Sequence, residues 1–81
     1  MMMIKEVVVI DGIYRHCKGK LYKVVDIVYN SEDCKRRIVI YKQLEASDFR
    51  VGTKWARDYD EFIDIHPILN VPRFVLVGRD F

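Results

Sequence analysis

The stretch Gly12-Ile13-Tyr14-Arg15-His16-Cys17-Lys18-Gly19-Lys20-Leu21-Tyr22-Lys23-Val24 reads as two short strands folded back on each other at Lys18-Gly19. Gly19 can take the positive φ that a tight hairpin turn demands, and Lys18 and Lys20 flank it with charge that is comfortable in water. Side chains alternate faces along a strand, so Ile13 and Arg15 point one way while Tyr14 and His16 point the other. Beyond the turn, Leu21, Lys23 and Val25 share one face, and Tyr22, Val24 and Asp26 the other. Neither face is purely apolar. This predicts a small, strongly twisted sheet whose two surfaces are partly covered by aromatic rings and long basic stems.

Upstream, residues 4–10 predict a strand that is β-branched from Val7 onward and stops at Asp11-Gly12. Downstream, the second arm of the hairpin runs over residues 21–29 and ends at the loop signal Asn30-Ser31-Glu32-Asp33, which continues through Cys34-Lys35-Arg36-Arg37. The segment Ile38-Val39-Ile40-Tyr41-Lys42-Gln43-Leu44 is the strongest strand in the chain, with Ile38, Ile40 and Leu44 on one side and Val39 and Tyr41 on the other. Glu45 to Thr53 is a polar connection that is either pinned by Phe49 or functional. Thr53-Lys54-Trp55-Ala56-Arg57 is a further strand. Asp58-Tyr59-Asp60-Glu61-Phe62 predicts a single helical turn, capped by Asp58 with Glu61 three residues on, and Pro67 forbids a longer helix. Val71 to Val77 closes the chain as a strand, with Pro72 near its start. Five or six short strands with one helical turn predict a mainly β barrel or roll, because closure removes exposed edges.

The 81 residues make one small domain, residues 1–81, with no internal repeat, low-complexity segment or linker. A chain of this length buries about 60 to 65 % of its unfolded surface, which leaves little room for a deep catalytic cavity. The net charge of +2 does not announce nucleic acid. The charge is uneven, however, with residues 1–42 net positive and residues 43–81 net negative, so one face is a candidate basic surface. Two cysteines without a signal pattern predict free thiols in a reducing cytoplasm. The apolar run Val7 to Ile10 is too short for a secretory h-region or a membrane span.

The order of blocks is specific. Gly12-Ile13-Tyr14-Arg15-His16, Lys18-Gly19, Tyr22-x-Val24, Ile38-Val39-Ile40-Tyr41, Trp55-x-Arg57, Phe62 and Val71-Pro72-Arg73-Phe74 together resemble the bacterial domain-of-unknown-function family numbered 1653. The resemblance covers roughly residues 12–77 and implies an SH3-type small β-barrel; it implies no established activity. Cys17, Asp58 and Pro67-Ile68-Leu69-Asn70 depart from the family pattern. Asp58 is physically tolerable there, since it favours a helix start.

Tyr14, His16, Tyr41, Trp55, Arg57 and Arg73 are the candidate binding residues. Exposed together, they make a stacking and cation-π surface for a protein, peptide or nucleotide; buried, the rings are core and the arginines brace loops. Tyr14, His16, Trp55, Arg57 and Arg73 form the leading set for a binding or accessory module. The alternative is a small-molecule or anion site, with or without catalysis, in which Arg57 and Arg73 hold the anion and His16 moves a proton. A second alternative places nucleic-acid phosphates on Lys18, Lys20, Lys35, Arg36 and Arg37, provided that their two loops lie side by side.

Other chemistry is weakly encoded. His16, Cys17, Cys34 and His66 are zinc-ligand types, but they lack ligand spacing, and strand alternation puts His16 and Cys17 on opposite faces. Cys17 reads as an inward-facing small hydrophobe. Asp58, Asp60, Glu61 and Asp64 read as a capped helical turn in water. No phosphate-binding glycine loop is present. No catalytic set, metal site or cofactor is predicted, and oligomerisation through the first or last strand is left open.

Overall fold

The computed structural model describes residues 7–79. Its elements in chain order are β1 (Gly12–His16), β2 (Leu21–Asn30), β3 (Asp33–Gln43), β4 (Lys54–Asp58), α1 (Tyr59–Phe62) and β5 (Phe74–Arg79). The strands form one antiparallel sheet in the order β4-β3-β2-β1-β5. The all-β architecture with one helical turn is therefore what the sequence patterning implies. No ladder joins β4 to β5 among the described residues, so the expected closed barrel is here a curled sheet with β4 and β5 at its two ends.

The sheet is strongly curled, as ring distances across it show. In a flat sheet β5 and β3 lie three strand spacings apart, about 14 Å. Yet the ring centroids of Phe74 on β5 and Tyr41 on β3 are 5.4 Å apart. Phe62 of α1 stacks on Phe74 with centroids at 4.0 Å, and its ring also meets Tyr14 and Tyr41 edge-on. The core is thus a cluster of aromatic rings held inside the curl, completed by Val8, Val24, Val39 and Tyr59.

The β1–β2 hairpin forms as expected, with Gly19 at φ 106° in the turn. Tyr14 faces Tyr22 across it. The ladder between β2 and β3 shifts register between Val24 and Asp26. An extra residue there turns Asp26 out to solvent and brings Ile27 against the core, correcting the simple alternation along β2.

Three boundaries differ from expectation. Within the predicted strand 4–10, residues 4–6 lie outside the described residues and residues 7–10 are not a strand. The backbone N–H groups of Val8 and Val9 instead donate to the hydroxyls of Tyr59 and Tyr14, and Asp11 reverses the chain at φ 66°. The predicted loop over Cys34 to Arg37 is the first half of β3, because Asn30 and Asp33 pair directly and a two-residue turn suffices. The last strand starts at Phe74 rather than Val71. Pro72 forms an isolated bridge with Ile65, and the Arg73 N–H donates to the Asp64 carbonyl, so this segment pairs with the chain after α1.

Asp58 caps α1 as expected, its carboxylate accepting the Asp60 N–H. Burial pushes that carboxyl up, but hydrogen bonds from Arg36, Asp60 N–H and Glu61 N–H outweigh it and hold it below the usual aspartate range.

Candidate functional site

The side chains with chemistry on them gather on the concave face of the sheet. Strand alternation sends His16, Tyr22, Tyr41, Trp55 and Arg57 inward from four strands, and the register pairs Tyr41 with Trp55 and Val39 with Arg57. Together with Phe74 these residues line a cleft of about 190 Å³. It opens where the aromatic core reaches the surface.

The loop after β3 braces Trp55, which lines the cleft. Gln43 is a buried polar residue whose amide donates to the carbonyls of Glu45 and Phe49, while its side-chain oxygen accepts the Trp55 indole N–H at 2.9 Å. Phe49 then meets the Trp55 ring edge-on at 4.8 Å. The connection is therefore pinned by Phe49, one of its two expected readings. Gln43 supplies the polar half of that anchor, and only a buried strand position facing Trp55 makes it legible.

Arg57 is half-buried in the cleft. Its Nε lies 3.4 Å from the Tyr41 hydroxyl, and its Nη1 lies 4.0 Å from the Glu61 carboxylate, which is mostly exposed. Tyr22 is held above the usual tyrosine range by burial, by Tyr41 and by Glu45, with Arg57 acting against them.

His16 is the electrostatic reporter of the site. Its Nδ1 accepts the Lys18 backbone N–H at 3.1 Å, which places the proton of the neutral ring on Nε2. Burial lowers its pKa, and the charges of Arg57, Lys18, Arg73 and His66 lower it further. Arginines from β4 and from the segment before β5, at opposite ends of the sheet, therefore both act on one imidazole. Arg73 Nε is buried with no hydrogen-bond acceptor among the described residues.

The sign of the His16 shift fixes its effect on stability. The unfolded ring titrates near 6.5. Below that value the unfolded chain takes up a proton that the folded chain resists, so stability falls as pH drops through this window. His16→Gln is expected to flatten that decline, measured as denaturant midpoints at about pH 7.5 and about pH 5.5. Equal pH dependence in variant and wild type would contradict the assignment.

Of the five leading residues, His16, Trp55 and Arg57 share the cleft, and Arg73 acts on His16 from beside it. Tyr14 does not take part. It is buried in the core, where its hydroxyl receives the Val9 N–H. Tyr22 and Phe74 line the cleft without having been singled out for it. Cross-strand pairing in the first hairpin already places Tyr22 on the His16 face, whereas Phe74 reaches it through the curl of the sheet.

The basic residues do not form one surface. Lys18 and Lys20 sit at one end of β2 and Lys35 to Arg37 at the other, and ten residues of strand separate them by roughly 30 Å. Lys20 Nζ donates to the Ala46 carbonyl, Arg36 pairs with Asp58 at 2.7 Å, and the Arg37 guanidinium lies 3.9 Å over the Tyr59 ring. Two of the three hairpin cations thus brace β3 against β4 and α1.

Cys17 and Cys34 are free thiols, half-buried and exposed respectively. Cys17 Sγ lies 3.7 Å from His16 Nδ1. The expected separation of these side chains onto opposite faces fails because β1 ends at His16 and alternation ends with it. Among the described residues, no group of three or more His, Cys, Asp or Glu side chains is placed to hold a metal ion, and no helix is long and apolar enough to cross a membrane.

Fold and cleft define a class: a small all-β domain with a ring-lined, cationic cleft on its concave face. The chain belongs to the family described as "Protein of unknown function (DUF1653)", whose model matches residues 12–76. That span begins with β1 and ends within β5, so it contains every residue of the cleft. No curated protein and no solved structure matches the chain.

Proposed function

We propose that this domain is a binding module that accepts an anionic group of a ligand or protein partner in the aromatic cleft. The observation that carries this reading is that Arg57 and His16 meet in one cleft lined by Tyr22, Tyr41, Trp55 and Phe74, and the charges of Arg57, Lys18 and Arg73 act on the same imidazole. The cleft offers donors, namely the Arg57 guanidinium and the imidazole Nε2–H, beside aromatic rings. Carboxylate and phosphate oxygens suit such a donor set, and guanidinium hydrogen bonds to them are about twice as strong as neutral ones. Two free thiols suit a reducing compartment, and the cytoplasm is the proposed location.

An anion seated there would offset the neighbouring cations that, after burial, lower the His16 pKa, so it should bind more tightly as pH falls toward 6. The direct test is titration of the ¹⁵N-labelled protein with acetate and with sulfate, following the Trp55 indole and the cleft amides. Arg57→Gln is expected to weaken binding by about tenfold or more, consistent with loss of a charged hydrogen bond. Identical titrations for variant and wild type, or no response in the cleft to either anion, would refute the reading.

A further inference from the structure

We propose that the outer face of β1 and β5 is a docking surface for an acidic, extended peptide segment that carries alternating apolar side chains. This surface lies on the other side of the sheet from the cleft. Register pairs Arg15 with Val75 and His16 with Phe74, and successive residues of a strand face opposite ways.

The two ends of the sheet are built differently. β4 carries Lys54, Arg57 and Asp58 within five residues, and Phe49 covers its Trp55. β5 begins Phe74-Val75-Leu76-Val77 and has no charge before Arg79. Edge strands without charge or proline are templates for another chain. β5 pairs with β1 on one side, and among the described residues no strand pairs with its other side.

Its outward side chains are also open to solvent: Val75 is 49 % exposed and Val77 46 %. With Val71 and Pro72 they line a groove of about 260 Å³ that has Arg15 in its wall and the end of the first hairpin arm, His16, Cys17 and Gly19, at its rim. Adjacent exposed aliphatic side chains of this kind mark an interaction surface more often than chance.

Charge decides the occupant. Arg15 and Lys18 are exposed, and no carboxylate lines the groove. A second copy stacked groove on groove would bring two Arg15 guanidinium groups to one apolar surface with no carboxylate to offset them. An acidic segment meets them favourably. Extended along β5, it can continue the ladder with its main chain and place every second side chain beside Val75 and Val77.

The test is a titration of the full ¹⁵N-labelled chain with acetyl-Glu-Val-Glu-Val-Glu-amide and, separately, with its lysine counterpart acetyl-Lys-Val-Lys-Val-Lys-amide. The acidic peptide is expected to bind about tenfold or more tightly than the basic one, to weaken with added salt, and to slow exchange of β5 amides. Arg15→Glu should remove that preference. Lys18→Glu, in the exposed turn, provides a second variant should Arg15→Glu fail to fold. Equal affinity for the two peptides, no response at β5, or sedimentation showing a self-associated chain with protected β5 amides would overturn the proposal. His16 borders both the cleft and the groove, so the two tests are separated by variant: Arg57 lines only the cleft and Arg15 only the groove, and loss of peptide binding with intact anion binding overturns this proposal alone.

Discussion

Phe74→Ala is expected to destabilise the domain by about 3 to 5 kcal/mol, measured by equilibrium urea unfolding. Phe74 is 5 % exposed and stacks on Phe62 at an interplanar angle of 8°. It also meets His16, Tyr22 and Tyr41 edge-on, with centroids 4.9, 6.0 and 5.4 Å away. Truncation removes the shared partner of four rings drawn from β1, β2, β3 and α1, and the curled sheet has no second layer that could collapse into the void. A domain of this length has a total stability of about 4 to 12 kcal/mol, so the loss is a large fraction of the whole and shifts the urea midpoint strongly downward. Phe74→Leu refills most of the volume and should retain much more of the stability. A loss below about 1 kcal/mol for the alanine variant would show that the ring cluster is not the core.

Gly12→Ala is expected to destabilise by about 1 to 3 kcal/mol, the range for overpacking a close-fitted site. A methyl at Gly12 would lie 2.8 Å from the Val9 carbonyl oxygen, 2.9 Å from the Tyr14 ring and 3.0 Å from Leu76. The first of these is backbone, held by the Gly12 N–H to Val9 carbonyl bond, and the second is a ring fixed by Phe62 and by the Val9 N–H. Neither can swing away. Gly19 is the contrast: nothing lies within 4 Å of a methyl there, and only the left-handed φ of 106° opposes substitution. Gly19→Ala should therefore lose about 1 to 2 kcal/mol, from backbone strain alone. Thermal melting of both variants distinguishes steric from conformational cause, since only Gly12→Ala should also perturb the Tyr14 and Leu76 resonances.

Both predictions concern residues within the blocks that mark the family, at the start of β1 and the start of β5. These blocks read in the first instance as folding features. Gly12 allows close packing under Tyr14, and Phe74 fills the curl. The proposed anion site lies with their neighbours on the same face, His16 beside Phe74 and Arg57 in the cleft that Trp55 also lines. The cleft is thus an outgrowth of the core rather than a separate pocket, and Phe74 belongs to both.

Several features were legible from local patterning. Lys18-Gly19 turns the first hairpin, Asp58 caps α1, and Trp55 and Arg57 share a face because a strand alternates. The same alternation misled where regularity ended. At the Val24–Asp26 bulge an extra residue swaps Asp26 for Ile27, and at Cys17 the strand is over, so the thiol comes beside the His16 ring. Val7 to Ile10 has the composition of a strand, but two tyrosine hydroxyls compete for its backbone. Tyrosines 14 and 59 are distant in sequence from that backbone or folded back upon it, and composition carries no trace of either bond.

The chain by itself determined an all-β domain, its first hairpin, its capped helical turn and which side chains of a strand share a face, because each of these depends on dihedral preference and side-chain period over a few residues. Tertiary structure alone decided which of those residues meet. Arg57 near one end of the sheet and Arg73 near the other act on the same imidazole only because aromatic packing curls the sheet between them, and Tyr14, with equal credentials in sequence, was drawn into the core by that packing. Curvature is a property of how five strands fill a common volume, and it is set by contacts between residues far apart in the chain, such as His16 and Phe74.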